Sequence, residues 1–145
     1  MKFITENVIN AIKDIPSLKN PLPKRQRGNR LVFCVAKHLG EENFDKDPQI
    51  VKLINQICGD NNYKIRRDGV VFMKEYFQYD KKRIVQHDRF KDVYLEILTE
   101  FLQDEDLHIQ IDAIEAVTEI LEELEEEQID NDFIPCILNF LDIEN

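Results

Sequence analysis

Apolar residues along this chain return every three or four positions rather than every second one. Residues 50–58 place Ile50, Leu53, Ile54, Ile57 and Cys58 in such a stripe, and residues 94–102 repeat it with Tyr94, Ile97, Leu98, Phe101 and Leu102. That spacing lines one side of a helix, whereas a half-buried strand would alternate apolar and polar positions. Only four Gly and five Pro interrupt the pattern. It predicts an all-α chain with helices over residues 5–15, 28–39, 48–58, 64–77, 89–102, 107–124 and 132–141. The joints are short and polar, as in Gly59-Asp60-Asn61-Asn62 and Gln103-Asp104-Glu105-Asp106. Joints this short make successive helices antiparallel neighbours.

The segments also echo one another. A step of 44 residues carries Ile50, Leu53, Ile54, Ile57, Cys58 and Asp60 onto Tyr94, Ile97, Leu98, Phe101, Leu102 and Asp104. The same step carries Ile65, Asp68, Gly69, Val70, Met73 and Phe77 onto Ile109, Asp112, Ala113, Ile114, Val117 and Leu121. A step of 39 carries Leu31-Val32-Phe33 onto Val70-Val71-Phe72, and Tyr94, Leu98, Phe101 and Leu102 onto Phe133, Ile137, Phe140 and Leu141. A helix pair therefore recurs about every 40 residues, the sign of a stacked repeat.

That period, an Asp in the turn, and a small residue (Gly69, Ala113) where helices approach closely resemble HEAT and armadillo repeats. A basic residue commonly follows the turn in that class. Arg66 supplies it once, but Gln110 stands at the next equivalent position, so an Asp–Arg ladder is incomplete. Within the class, Lys64-Ile65-Arg66-Arg67-Asp68 leading into Phe72-Met73-Lys74-Glu75-Tyr76-Phe77, then Asp88-Arg89-Phe90 and Leu107-His108-Ile109-Gln110, resemble the armadillo-type region of the protein phosphatase 4 regulatory subunit 3 (SMEK/Falafel) family. Protein phosphatase 2A scaffolds and condensin HEAT subunits are similar too. The resemblance implies a right-handed α-solenoid (α-α superhelix) of about three and a half HEAT/armadillo-like helix pairs. It also implies a regulatory or scaffold role. The predicted helix over 132–141 has no partner helix after it, so the single repeat domain over 1–145 reads either as capped there or as a piece of a longer solenoid.

Charge adds a second signal. All nineteen Lys and Arg lie in the first 91 positions against eleven acids, net +8, while the last 54 residues hold eighteen Asp and Glu, net −18. Ends of opposite sign attract opposite partners, or one another, over about 8–10 Å at physiological salt. No apolar run approaches the roughly 20 residues that span a bilayer. Cys34, Cys58 and Cys136, an odd number at wide spacing among apolar neighbours, read as buried thiols of a reducing compartment. The expected location is intracellular, cytoplasmic or nuclear, with no membrane contact.

Catalytic chemistry finds no foothold. His38, His87 and His108 stand in different helical contexts with no Ser or Cys at a spacing that pairs nucleophile with base. The cysteine spacings match no zinc pattern, and no Gly-rich phosphate loop occurs. The expectation is no catalytic residue, no cofactor and no metal. In Glu122-Glu123-Leu124-Glu125-Glu126-Glu127, Glu122 and Glu126 fall on one predicted helical face ahead of Asp130 and Asp132. However, the loop order of an EF-hand is absent, and a solvated helix end is the plainer reading. So many acids at a helix C-terminus oppose its macrodipole, so fraying is expected unless a cationic partner docks.

Two surfaces follow as partner sites. Glu115, Glu119 and Glu122, with Asp104, Glu105, Asp106 and Glu123, suit a basic peptide or protein. Arg66 and Arg67 suit an acidic contact. The expected function is a non-catalytic protein-binding scaffold or regulatory module, whose partner could be a phosphatase catalytic subunit. The alternative is a nucleic-acid-associated repeat in which Lys19, Lys24, Arg25, Arg27 and Arg30, with Arg66, Arg67, Lys81, Lys82 and Arg83 at later turns, grip phosphates. The net −10 charge weighs against that alternative. Head-to-tail self-association of the +8 and −18 ends is the third use.

Overall fold

The computed structural model describes residues 6–7, 10–11, 13–14, 17, 19–38, 48–86 and 90–143. Among them every regular element is helical and none is a strand. The helices are α1 (Leu22–His38), α2 (Pro48–Cys58), α3 (Tyr63–Gln86), α4 (Glu96–Leu102), α5 (Leu107–Ile120), α6 (Glu126–Gln128) and α7 (Ile134–Ile143). The chain forms two compact units, residues 1–69 and 70–145, and the boundary falls inside α3.

In the first unit α1 packs on α2. The α2 stripe buries Ile50, Leu53, Ile54, Ile57 and Cys58, and α1 buries Val32, Phe33 and Ala36. The predicted helix over 28–39 begins six residues earlier, at Leu22. The Pro21 carbonyl accepts from the Lys24 and Arg25 N–H groups and so starts the helix. Pro23 fits because the first helical turn has no partner for its N–H in any case. Of the predicted helix over 5–15, Glu6, Asn7, Asn10 and Ala11 are helical, and the rest lies in turns or outside the described residues.

In the second unit, α4 packs against both α5 and α7. Among its described residues Met73, Phe77, Tyr94, Phe101 and Phe133 are the largest fully buried side chains. Phe77 meets Tyr94 edge to face at 5.9 Å, an arrangement favoured by the ring quadrupoles. The predicted helix over 64–77 runs on to Gln86, carried past its last described core residue by Lys81, Lys82 and Gln86, good helix formers with no Gly or Pro among them. Lys81–Arg83 therefore belong to a helix interior rather than a turn.

Two wide π-helical turns precede regular helix, Phe90–Leu95 before α4 and Ile129–Phe133 before α7. They fall 39 residues apart, and each seats a large buried aromatic, Tyr94 in one and Phe133 in the other. A π turn is rare, so its recurrence at the register read from the apolar pattern is informative.

The predicted helix over 107–124 ends at Ile120. Leu121–Glu123 tighten into a 3₁₀ turn, and Leu124 takes an extended backbone (φ −83°, ψ 147°) that buries its side chain. Glu125 then caps a new helical start, its N–H donating to Gln128 Oε1 at 3.0 Å. The break changes the electrostatics of the acidic run. Glu125, Glu126 and Glu127 stand at the positive start of the following helical stretch rather than at the negative end of the preceding one.

Candidate functional site

The loop between α2 and α3 and the loop between α4 and α5 are built alike. In the first, Asp60 Oδ1 accepts from the Asn62 N–H at 2.8 Å, and Asn62 Oδ1 accepts from the Lys64 N–H at 2.9 Å. In the second, 44 residues on, Asp104 Oδ1 accepts from the Asp106 N–H at 2.9 Å. Asp106 Oδ1 then accepts from the N–H groups of His108 and Ile109 at 3.0 and 3.2 Å. Each pair of side chains satisfies N–H groups that a helix start leaves open. The Arg66 guanidinium donates to the carbonyls of Asp60 and Asn61 at 2.9 and 3.1 Å, tying the first loop to α3. Arg66 is thus engaged by its own backbone, while Arg67 beside it is exposed.

Sequence reasoning missed a buried polar line in the first unit. Arg25, assigned above to an exposed basic cluster, turns inward and pairs with Asp60, both side chains being under a tenth exposed. Four residues on, Asn29 is fully buried and its Nδ2 donates to Asp68 Oδ2 at 3.3 Å. Burial raises the Asp68 carboxyl above its ordinary value, against the opposing effects of the Asn29 hydrogen bond and the Arg30 charge. The available signal was the spacing of 25, 29, 32 and 36, which extends the Val32 and Ala36 stripe back into polar sequence. Lys24, Arg27 and Arg30 stay on the exposed side of α1.

The three acids singled out for a basic partner lie together on the second unit, and each meets a side chain of α3. Lys74 Nζ donates to Glu115 Oε2 at 2.7 Å and lies 3.6 Å from Asp112. Gln78 Nε2 donates to Glu119 Oε1 at 3.1 Å, and Lys81 Nζ lies 3.8 Å from Glu122. All three rungs join residues 41 apart. A constant offset requires the helical stretches to run in the same direction, because antiparallel stretches would pair rising numbers with falling ones. The Glu115 hydrogen bond, reinforced by the charges of Glu115 and Asp112, raises the Lys74 amine above its ordinary value. Glu122 is still 84% exposed, so it can reach a second cation. Glu122 and Glu126 do not share one helical face, since the extended backbone at Leu124 and Glu125 separates them.

Among the described residues no three of His, Cys, Asp and Glu converge to hold a metal ion, and no helix is long and apolar enough to cross a membrane. Cys136 is buried, with its Sγ 3.3 Å from Gln103 Nε2, and Cys58 is buried, but Cys34, expected inside, is exposed. It projects from the basic side of α1, whose opposite side carries the core residues. His108 is exposed on α5; the His38 side chain and His87 lie outside the described residues. No protein-family model, no curated protein and no solved structure matches the chain.

Proposed function

We propose that the chain is a non-catalytic protein-binding scaffold of the HEAT/armadillo-like kind, its helix pairs stacked as a right-handed α-solenoid. The observation that carries this reading is the same-direction ladder of Lys74, Gln78 and Lys81 against Glu115, Glu119 and Glu122, each rung 41 residues apart. Helices a full repeat apart run the same way and lie side by side in a solenoid, whereas the same-direction helices of a four-helix up-and-down bundle lie diagonally across its core. The twin loops 44 residues apart and the twin π turns add support.

The partner surface is the acidic side of α5 and the 3₁₀ turn after it, where Glu115, Glu119 and Glu122 present carboxylates above a row of α3 side chains. A basic peptide or protein segment is the matching chemistry, and a serine/threonine phosphatase catalytic subunit is the sharpest candidate. Arg67, exposed on α3, is the matching contact for an acidic group, with Arg66 beside it tying the preceding loop to the same helix.

The test is calorimetric titration with a purified phosphatase catalytic subunit and, separately, a lysine-rich peptide. A swapped variant, Glu115→Lys and Glu122→Lys with Lys74→Glu and Lys81→Glu, keeps pairs across the ladder while reversing the outer charge. Binding by the wild type that the swapped variant loses supports the acidic scaffold. Equal binding by both, or binding only to single-stranded nucleic acid through Lys24, Arg27 and Arg30, overturns it.

A further inference from the structure

Two helix faces, one in each unit, are exposed and apolar at their centres yet opposite in charge at their rims. On α7, Ile134, Leu138 and Leu141 are 40%, 53% and 49% exposed. Their spacing of four and three aligns them in one stripe. Asp142 lies one turn beyond Leu138, Asp130 is exposed in the preceding π turn, and no Lys or Arg follows Lys91 anywhere in the chain. On α1, Leu31 is 50% exposed, with Arg27 one turn before it, Arg30 beside it and Lys24 two turns before it, all exposed. The 17 residues of α1 include no acid.

We propose that these faces bind each other between copies: α7 of one molecule docks on α1 of the next. The contact would bury the half-exposed Ile134, Leu138 and Leu141 of α7 against Leu31 of α1, and the acidic rim would meet the basic one. Two alternatives using the same surfaces are disfavoured by the same charges. An α7–α7 contact would set Asp130 and Asp142 of one copy against those of another, and an α1–α1 contact would oppose two rows of Lys and Arg. A contact between different faces either closes, through reciprocal contacts, into a dimer or ring, or leaves one α1 and one α7 open for further copies. In both cases assembly grows with concentration. Both faces are narrow, so the contact belongs with small interfaces, under about 1,200 Å², that are weak and transient.

Sedimentation velocity on three proteins tests this: the wild type, Leu138→Glu, and the double variant Lys24→Glu/Arg27→Glu. Circular dichroism confirms that the variants keep their helical content, as substitutions at exposed positions should. The wild type is expected to gain mass up to about 1 mM in 0.1 M salt. Its dissociation constant should rise at least tenfold in 1 M salt, where the screening length falls from about 10 Å to about 3 Å. Each variant alone is expected to stay monomeric. Their equimolar mixture should form a species of two chains and nothing larger, because each retains the one intact face that the other lacks. A monomeric wild type at about 1 mM, self-association of the Lys24/Arg27 variant through α7, or a mixture that stays monomeric would each overturn the proposal.

Discussion

Lys74 holds the carboxylate of Glu115 at 2.7 Å across 41 residues of sequence, and the same separation joins Gln78 to Glu119 and Lys81 to Glu122. Half of the Glu115 side chain remains in solvent, so this rung tethers the acid without hiding it.

A double-mutant cycle on Lys74→Ala and Glu115→Ala is expected to give a coupling of about 0.5 kcal/mol, the scale of a solvated ion pair, with most of it gone in 1 M salt. The Lys74 amine is raised above its ordinary 10.5 by its Glu115 hydrogen bond. The folded chain therefore keeps that proton after the unfolded chain has released it. This stabilisation is complete below pH 10.5 and is lost as pH climbs through the folded value, which urea denaturation between pH 8 and pH 11 should reveal.

Asp60→Asn is expected to destabilise the first unit by about 3 kcal/mol or more, because it strands the buried Arg25 charge. Asn can still accept from the Asn62 N–H, so the loop hydrogen bond survives and the loss reports the charge alone. Arg25→Met in the same background should recover part of it. Chemical denaturation of the wild type and the two variants provides the comparison.

Asp68→Asn should act in the opposite direction. The Asp68 carboxyl is raised by burial, so the folded chain retains a proton that the unfolded chain loses, and stability falls as pH rises from its ordinary 3.8 through the folded value. At neutral pH the ionised side chain therefore weighs against folding, and the amide removes that burden. The new Nδ2 can also supply the fully buried Asn29 Oδ1, which has no hydrogen-bond partner among the described residues, a gain on the order of 1 kcal/mol. The variant should be more stable at pH 7 and lose the decline in stability expected of the wild type as pH rises above 3.8.

Gln128→Ala is expected to cost about 1 kcal/mol by removing the acceptor for the Glu125 N–H at the start of α6. The helical signal near 222 nm should fall slightly before the main thermal transition, reporting local fraying of Glu126–Gln128.

The apolar period made the helices legible, and 48–58 matches α2 at both ends because its core stripe stops where the Gly59 turn begins. Boundaries set by polar chemistry were harder. At the start of α1 a lone Leu22 precedes Arg25 and Asn29, which occupy the buried side, and from Phe77 to Gln86 the run Gln78, Asp80, Lys81, Lys82 and Arg83 breaks the apolar stripe of α3. The end of α5 depends on Leu124, which continues a helical spacing on paper but reaches the core by leaving the helix. The acidic site residues were legible as charges, but their partners were not. Pairing Glu115 with Lys74 requires knowing that two helical stretches separated by α4 run side by side. Arg66 was recognised as the basic residue after a turn, yet its binding to the Asp60 and Asn61 carbonyls depends on loop geometry that the apolar pattern does not carry.

The extended step at Leu124 changes what an acidic segment without a single base can do. Carboxylates crowded at the negative end of a helix would have to be ordered by whatever bound them, and that ordering would be deducted from affinity. Placed at the positive start of the next helical stretch, Glu125, Glu126 and Glu127 are ordered by the chain's own backbone dipole. The fold thus presents a negatively charged surface that is preorganised before any counter-charge arrives.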